Sequence, residues 1–148
     1  MVNGQVNGGV GLHQCGVGTL TFTNHVFASC GDLEVSAGTL EFTDDATWLN
    51  GTNVTVRGSG TLKLAAGGRF NGSIAVLHLG ADADSWKIDI PAGQTQAFAY
   101  AYDADGNLLP SGDYGNASSG ATRQRFAAHF TGNGVIRVRR HGTQLLIR

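Results

Sequence analysis

Three stretches decide the reading: Gly18-Thr19-Leu20-Thr21-Phe22-Thr23, Gly38-Thr39-Leu40-Glu41-Phe42-Thr43 and Gly60-Thr61-Leu62-Lys63-Leu64-Ala65. Their leading glycines lie 20 and 22 residues apart. Other positions keep the same period. Leu33-x-Val35 returns as Val54-x-Val56 and then as Ile74-x-Val76, with first-residue steps of 21 and 20. Phe27, Trp48 and Phe70 follow at steps of 21 and 22, and Leu12 stands 21 residues before Leu33. Two of these columns are apolar dyads with one residue between, the signature of strands with one face inward. Gly, Asn, Asp and Ser fill the gaps, as tight turns require. One coil of about 21 residues cannot bury its apolar face alone, so successive coils must stack and share a core. A β-solenoid follows, with Leu20, Leu40 and Leu62 one above another. An amphipathic helix is excluded because i, i+3, i+4 spacing is absent and glycine recurs every few residues. A sandwich or jelly roll would show short alternating strands but would not demand three columns in phase.

Composition agrees. The chain has 148 residues, of which 23 are Gly and 2 are Pro, with 41% hydrophobic and 14% charged residues. So little charge argues against intrinsic disorder and against coiled coils. One domain is expected over residues 1–148, with solenoid coils over 10–80. Beyond residue 80 the period breaks. Trp86-Lys87-Ile88-Asp89-Ile90 and Thr95 to Tyr102 still alternate, and Gly134 to Ile147 reads as a hairpin turning at His141-Gly142. Residues 81–148 are therefore expected to form an antiparallel β cap, which a solenoid needs to cover its last apolar face and open edges. No run reaches the 18 to 20 apolar residues of a membrane span. The opening Met1 to Gly9 is polar and unlike a signal peptide; a mature chain or fragment, entered in the middle of a repeat, is expected.

The Gly-Thr-Leu-x-Phe coils resemble the right-handed parallel β-helix repeats of secreted bacterial proteins, autotransporter-type passenger domains and pectate-lyase-like solenoids among them. Tyr102-Asp-x-Asp-Gly106-x-Leu-Leu-Pro110-x-Gly112-x-Tyr114-Gly115, followed by Gly132-x-Gly134-Val-Ile-x-Val138, is similar to the segment that closes many such chains. The resemblance spans most of residues 12 to 140. It implies an extracellular or bacterial cell-surface location and a short right-handed β-helix, but no single activity, because the fold hosts adhesins, lyases, glycosidases and inert stalks.

The chemistry-bearing residues are few. Asp44-Asp45 is the adjacent acidic pair, and a glycosidase needs two carboxyls held across a bond. Neighbours on a strand point oppositely, and this pair follows Thr43 at a turn, so no catalytic role is expected. Glu41 shares a column with Thr21 and Lys63 and is expected to pair with Lys63 as a solvated ion pair. Asp103, Asp105 and Asn107 look like half a calcium loop, but Leu108 and Tyr114 stand where such a loop needs Gly and Glu, and Asp-Gly is a common hairpin turn. Asp82 and Asp84 form a weaker version. Thr19, Thr21 and Thr23 start a threonine ladder that later coils do not sustain. The histidines (His13, His25, His78, His129, His141) are scattered, with no nucleophile beside them. Cys15 and Cys30 match no zinc spacing, and whether they pair is left open. The Asn-x-Ser/Thr triplets at Asn50, Asn53, Asn71 and Asn116 are attributed to composition. No cofactor or metal is expected.

Charge is unevenly placed. Residues 1–120 carry all 11 acids and 4 basic residues, whereas residues 121–148 carry 6 arginines and no acid. On the last strand Ile136 and Val138 share one face and Arg137 and Arg139 the other. Arg123, Arg125, Arg137, Arg139 and Arg140 therefore form a candidate anion-binding set for acidic polysaccharide, the guanidinium fork being suited to carboxylate and sulfate. The competing reading is an edge whose arginines discourage aggregation and neutralise nearby Asp within the molecule. Nucleic acid is disfavoured by the net charge of −1. The expected function is a non-catalytic extracellular or surface module for structural, adhesive or self-association roles, with a homo-oligomer formed through solenoid ends or edges. The alternative is a carbohydrate-active β-helix enzyme, a polysaccharide lyase or glycoside hydrolase, or its C-terminal fragment.

Overall fold

The computed structural model describes residues 11–24, 26–27, 31–43, 45–49 and 53–139. The first coil holds β1 (Leu12–Gln14), β2 (Thr19–Thr23) and β3 (Val26–Phe27). The second repeats this as β4 (Leu33–Val35), β5 (Thr39–Thr43) and β6 (Thr47–Trp48). The third has β7 (Asn53–Val56) and β8 (Thr61–Leu64) and closes at Phe70, which bridges in parallel to Trp48. Next come β9 (Val76–Leu79), β10 (Lys87–Asp89) and β11 (Thr95–Phe98), then β12 (Tyr100–Tyr102), β13 (Gly112–Tyr114) and β14 (Val135–Val138). The sheets run β1-β4-β7-β9-β12, β10-β8-β5-β2, β11-β14-β13 and β3-β6. This is a β-solenoid of about four turns whose C-terminal sheet carries an antiparallel pair, β13 with β14. Among the described residues no helix is long and apolar enough to cross a membrane.

The register is that of the columns. Leu20 lies over Leu40, Leu40 over Leu62, and Leu62 over Ile88, all in parallel pairs. Leu40 and Leu62 are fully buried, as are Leu33, Val35, Val54 and Val56 on the neighbouring sheet. Each such side chain removed from water contributes about 1.5–3 kcal/mol. Phe22, Phe42, Phe70 and Phe98 form a continuous file of rings, with centroids 5.3, 5.4 and 5.8 Å apart. Ring pairs of this kind add about 0.5–1.5 kcal/mol beyond their buried area. Outside, Thr21 donates to Glu41, and Glu41 meets the Lys63 ammonium at 3.0 Å, as the column implied. The Glu41 carboxylate raises the Lys63 pKa by hydrogen bonding and by its charge.

Two expectations change. The third member of the Leu33/Val54 column is Leu77-x-Leu79, not Ile74-x-Val76: Val54 pairs with Leu77 and Val56 with Leu79. A turn in which Ile74 and Ala75 both donate to the Asn71 carbonyl lengthens this coil and leaves Ile74 exposed. Since alternate residues face opposite ways, the odd-numbered shift exchanges the buried set for the outward one.

Nor does parallel stacking stop at residue 80. β10 pairs with β8, β12 with β9 and β11 with β14, all in parallel. The break in period is a change of coil length. Residues 80–86 form a longer corner that tucks Trp86 into the core, so the step from Leu62 to Ile88 grows to 26 residues. In the last turn the chain leaves after β12 and returns at Phe130, which bridges in parallel to Ile88. The excursion buries Leu109, Tyr114 and Phe126 against the end of the solenoid core. His129 fastens it, stacking on Trp86 at 3.8 Å with its ring nitrogens 2.8 Å from the Trp86 carbonyl and 3.2 Å from that of Asp82. Among the described residues, antiparallel pairing joins β13 with β14, and an isolated antiparallel bridge joins Tyr102 to Leu108. The hairpin expected at His141-Gly142 lies outside the described residues.

Candidate functional site

β14 is the strand from which the site is built. Its alternation buries Ile136 and Val138 and turns Arg137 and Arg139 outward. On one side it pairs with β11 and on the other with β13, and this second register sets Asp113 directly opposite Arg137. The Arg137 fork closes on Asp113 with Nε–Oδ1 at 2.7 Å and Nη2–Oδ2 at 2.9 Å. The arginine's hydrogen bonds hold the Asp113 carboxyl below its ordinary range against the opposing effect of burial, and Asp113 raises Arg137 in return.

Arg123 reaches the same place from the excursion. Its backbone N–H donates to the Asp113 carbonyl and its Nε to the Ser111 carbonyl at 2.8 Å. A glycine is required at position 112, where φ is +143° and a Cβ would fall 2.8 Å from the Arg123 Nε. Arg139 donates to Ser73 Oγ at 3.5 Å. Together Ser111, Thr122, Asp113, Arg123, Arg137 and Arg139 line an open groove of about 790 Å³. Three guanidinium groups face it against one carboxylate, and Arg137 occupies both oxygens of that carboxylate. Among the described residues Arg123 and Arg139 form no ion pair.

The other sequence candidates lie elsewhere. Arg125 sits in a separate cleft of about 280 Å³ with Asp82, Asp103 and Asp105. It donates to Asp103 Oδ2 at 3.0 Å and lies 4.7 Å from the Phe126 ring centroid. Arg140 lies outside the described residues. Asp103 Oδ1 accepts from the backbone N–H groups of Asp105 and Asn107, and Oδ2 from the Asn107 side chain as well as Arg125. These bonds, led by the Asn107 N–H, lower the Asp103 pKa. With Gly106 at φ +80° they describe a turn whose carboxylate is already engaged. Among the described residues no group of three or more His, Cys, Asp or Glu is placed to hold a metal ion. Asp45 is exposed in the turn closed by Ala46 N–H donating to the Thr43 carbonyl, and Asp44 lies outside the described residues. Cys15 is an exposed free thiol, and Cys30 lies outside the described residues.

Among the described residues the histidines do not converge. His13 bonds Ser36 Oγ at 2.7 Å, and His78 lies 2.9 Å from Asn53 Oδ1 and stacks on Tyr102. His25 and His141 lie outside the described residues.

Charge counting along the chain found the arginines but not Asp113, whose role follows from the β13–β14 register. It also joined Arg125 to a set from which the excursion separates it. Comparison with known proteins finds no matching family model, no matching curated protein and no matching solved structure.

Proposed function

We propose that the chain is a non-catalytic β-solenoid module of an extracellular or cell-surface protein, docking onto an anionic glycan through the groove beside β14. The observation that carries this reading is the state of Arg123 and Arg139. Both guanidinium groups line the groove, and neither is neutralised by a carboxylate among the described residues. A planar guanidinium fork matches the paired oxygens of a uronate carboxylate or a sulfate ester. Arg137 is committed to Asp113. The open groove suits a chain-like ligand that lies across it. A stack of coils is also a rigid support, holding the groove in place from core files of Leu, Phe and Val.

Retention on immobilised heparin and on immobilised polygalacturonate, measured across salt, tests the reading. Binding should weaken steeply as salt rises, because exposed charges are screened within about 8–10 Å near physiological ionic strength. The double variant Arg123→Ser/Arg139→Ser should lose retention, while Arg125→Ser should keep it. Retention that is flat across salt, or unchanged in the double variant, overturns the proposal.

A further inference from the structure

We infer that Asp113 is a built-in competitor for the Arg137 fork, which makes the groove selective for a polyanion over a single acidic sugar. The inference rests on the glycan reading and concerns the same groove. The Asp113 carboxylate meets Arg137 through two hydrogen bonds, Nε–Oδ1 at 2.7 Å and Nη2–Oδ2 at 2.9 Å. A uronate carboxylate or a sulfate would make the same forked contact with a free arginine. The protein thus places one ligand-like group of its own inside the groove. The other two guanidinium groups there, Arg123 and Arg139, form no ion pair among the described residues.

The pair is placed to open without disturbing the fold. Asp113 and Arg137 stand opposite each other in the β13–β14 register, so their side chains leave the sheet on one face. The Asp113 main chain is held by its neighbours. Its N–H donates to Thr122 Oγ1 at 3.3 Å, and its carbonyl accepts from Arg123 N–H at 3.0 Å. Exchange at the fork therefore needs only rotation of the Asp113 side chain. Solvent reaches both partners, the Arg137 side chain being 55% exposed and that of Asp113 25%. An ion pair so exposed adds little to stability, because water and salt screen it and a long side chain must be ordered to make it.

Charge decides what displaces Asp113. A single uronate would replace one carboxylate by another at Arg137 and gain nothing there, and the Asp113 carboxylate repels it on approach. A chain already held at Arg123 and Arg139 delivers its next acidic group at high effective concentration, so it competes with Asp113 on equal terms. The groove therefore rejects isolated monoacids and takes a polymer with acidic groups on successive sugars. In the complex Arg137 is the third binding arginine, and the Asp113 carboxylate is released to water.

Titration calorimetry on the full chain with polygalacturonate, heparin and monomeric galacturonate, at one fixed salt concentration, tests this. Asp113→Asn keeps an acceptor for Arg137 but loses the charge. It should bind the polymers about tenfold more tightly, because the fork is then open to a charged partner. Asp113→Asn/Arg137→Ser should lose that gain. Asp105→Asn removes the same charge from the separate cleft and should change binding less than about twofold. Unchanged circular dichroism spectra certify the fold of each variant. Asp113→Asn binding no tighter than the parent, or the double variant keeping the gain, overturns the inference and leaves the glycan reading standing. Galacturonate bound by the parent as tightly as either polymer also overturns it. If neither the parent nor Asp113→Asn binds a polymer, the glycan reading falls and this inference with it.

Discussion

The side-chain amide of Gln96, on β11, makes main-chain-like hydrogen bonds to Phe70 in the coil beside it. Its Oε1 accepts from Phe70 N–H at 3.2 Å and Arg69 N–H at 2.7 Å, and its Nε2 donates to the Phe70 carbonyl at 3.2 Å. Gln96 is fully buried. Among the described residues the column of Phe27, Trp48 and Phe70 has no backbone bridge to β11, the strand that carries Gln96, and the side chain makes the link. The glutamine supplies both donor and acceptor where a main chain would have done so.

Replacing Gln96 by Leu should be among the most damaging single changes in the solenoid. Two backbone N–H groups would lose their acceptor in a dry site, each at a cost of about 1–3 kcal/mol. Urea unfolding should show a loss of about 2–5 kcal/mol. Gln94→Ala is the control, because Gln94 bonds the Gly67 N–H at an exposed position. It should cost less than about 1 kcal/mol.

Two glycines of like φ should respond differently to alanine. Gly38 (φ +64°) turns the corner into β5, and a Cβ there would lie 2.1 Å from the Gly16 carbonyl and 2.4 Å from that of Gly18. Gly93 (φ +77°) has no atom within 4 Å of such a Cβ. Gly93→Ala should cost about 1–2 kcal/mol, the penalty of the left-handed region alone. Gly38→Ala must also push two coils apart and should lower the urea midpoint well beyond that. Equal effects would show that coil spacing at this corner is not set by glycine.

The stacked files were legible because they rest on local alternation repeated at a fixed step. Leu20, Leu40, Leu62 and the Glu41–Lys63 pair needed nothing more. Legibility failed where coil length changed. The turn at Asn71 to Ala75 moved Leu77 and Leu79 into the places expected of Ile74 and Val76, and the corner at 80–86 disguised a further coil as a cap. Both are insertions at corners, where a solenoid adds residues without disturbing its core. The groove was half legible. Arg137 and Arg139 follow from alternation, but Asp113 and Arg123 are brought to them by the long-range pairing of β13 with β14 and by the return of the excursion. Gln96 carried no pattern at all. Its role depends on the coil that brings β11 beside Arg69 and Phe70.

Acid should lower the stability of the protein over two pH ranges, the first set by His78. Burial lowers its pKa, with the Asp32 charge opposing, so the unfolded chain takes up a proton at higher pH than the folded one. Stability is therefore fully present above the ordinary imidazole value of about 6.5 and falls as pH drops from there to the lower native value. Asp103 and Asp113 set the second range. Asp103 is lowered chiefly by the Asn107 N–H and Asp113 chiefly by Arg137. Their contribution is whole above the ordinary carboxylate value of about 3.9 and is lost as pH falls through the lower native values. The urea midpoint followed from neutral pH downward should show one decline below about pH 6.5 and another below about pH 4. His78→Gln should flatten the first decline and leave the second. Asp113→Asn should shrink the second and leave the first. A first decline of unchanged slope in His78→Gln would assign that proton uptake to another histidine.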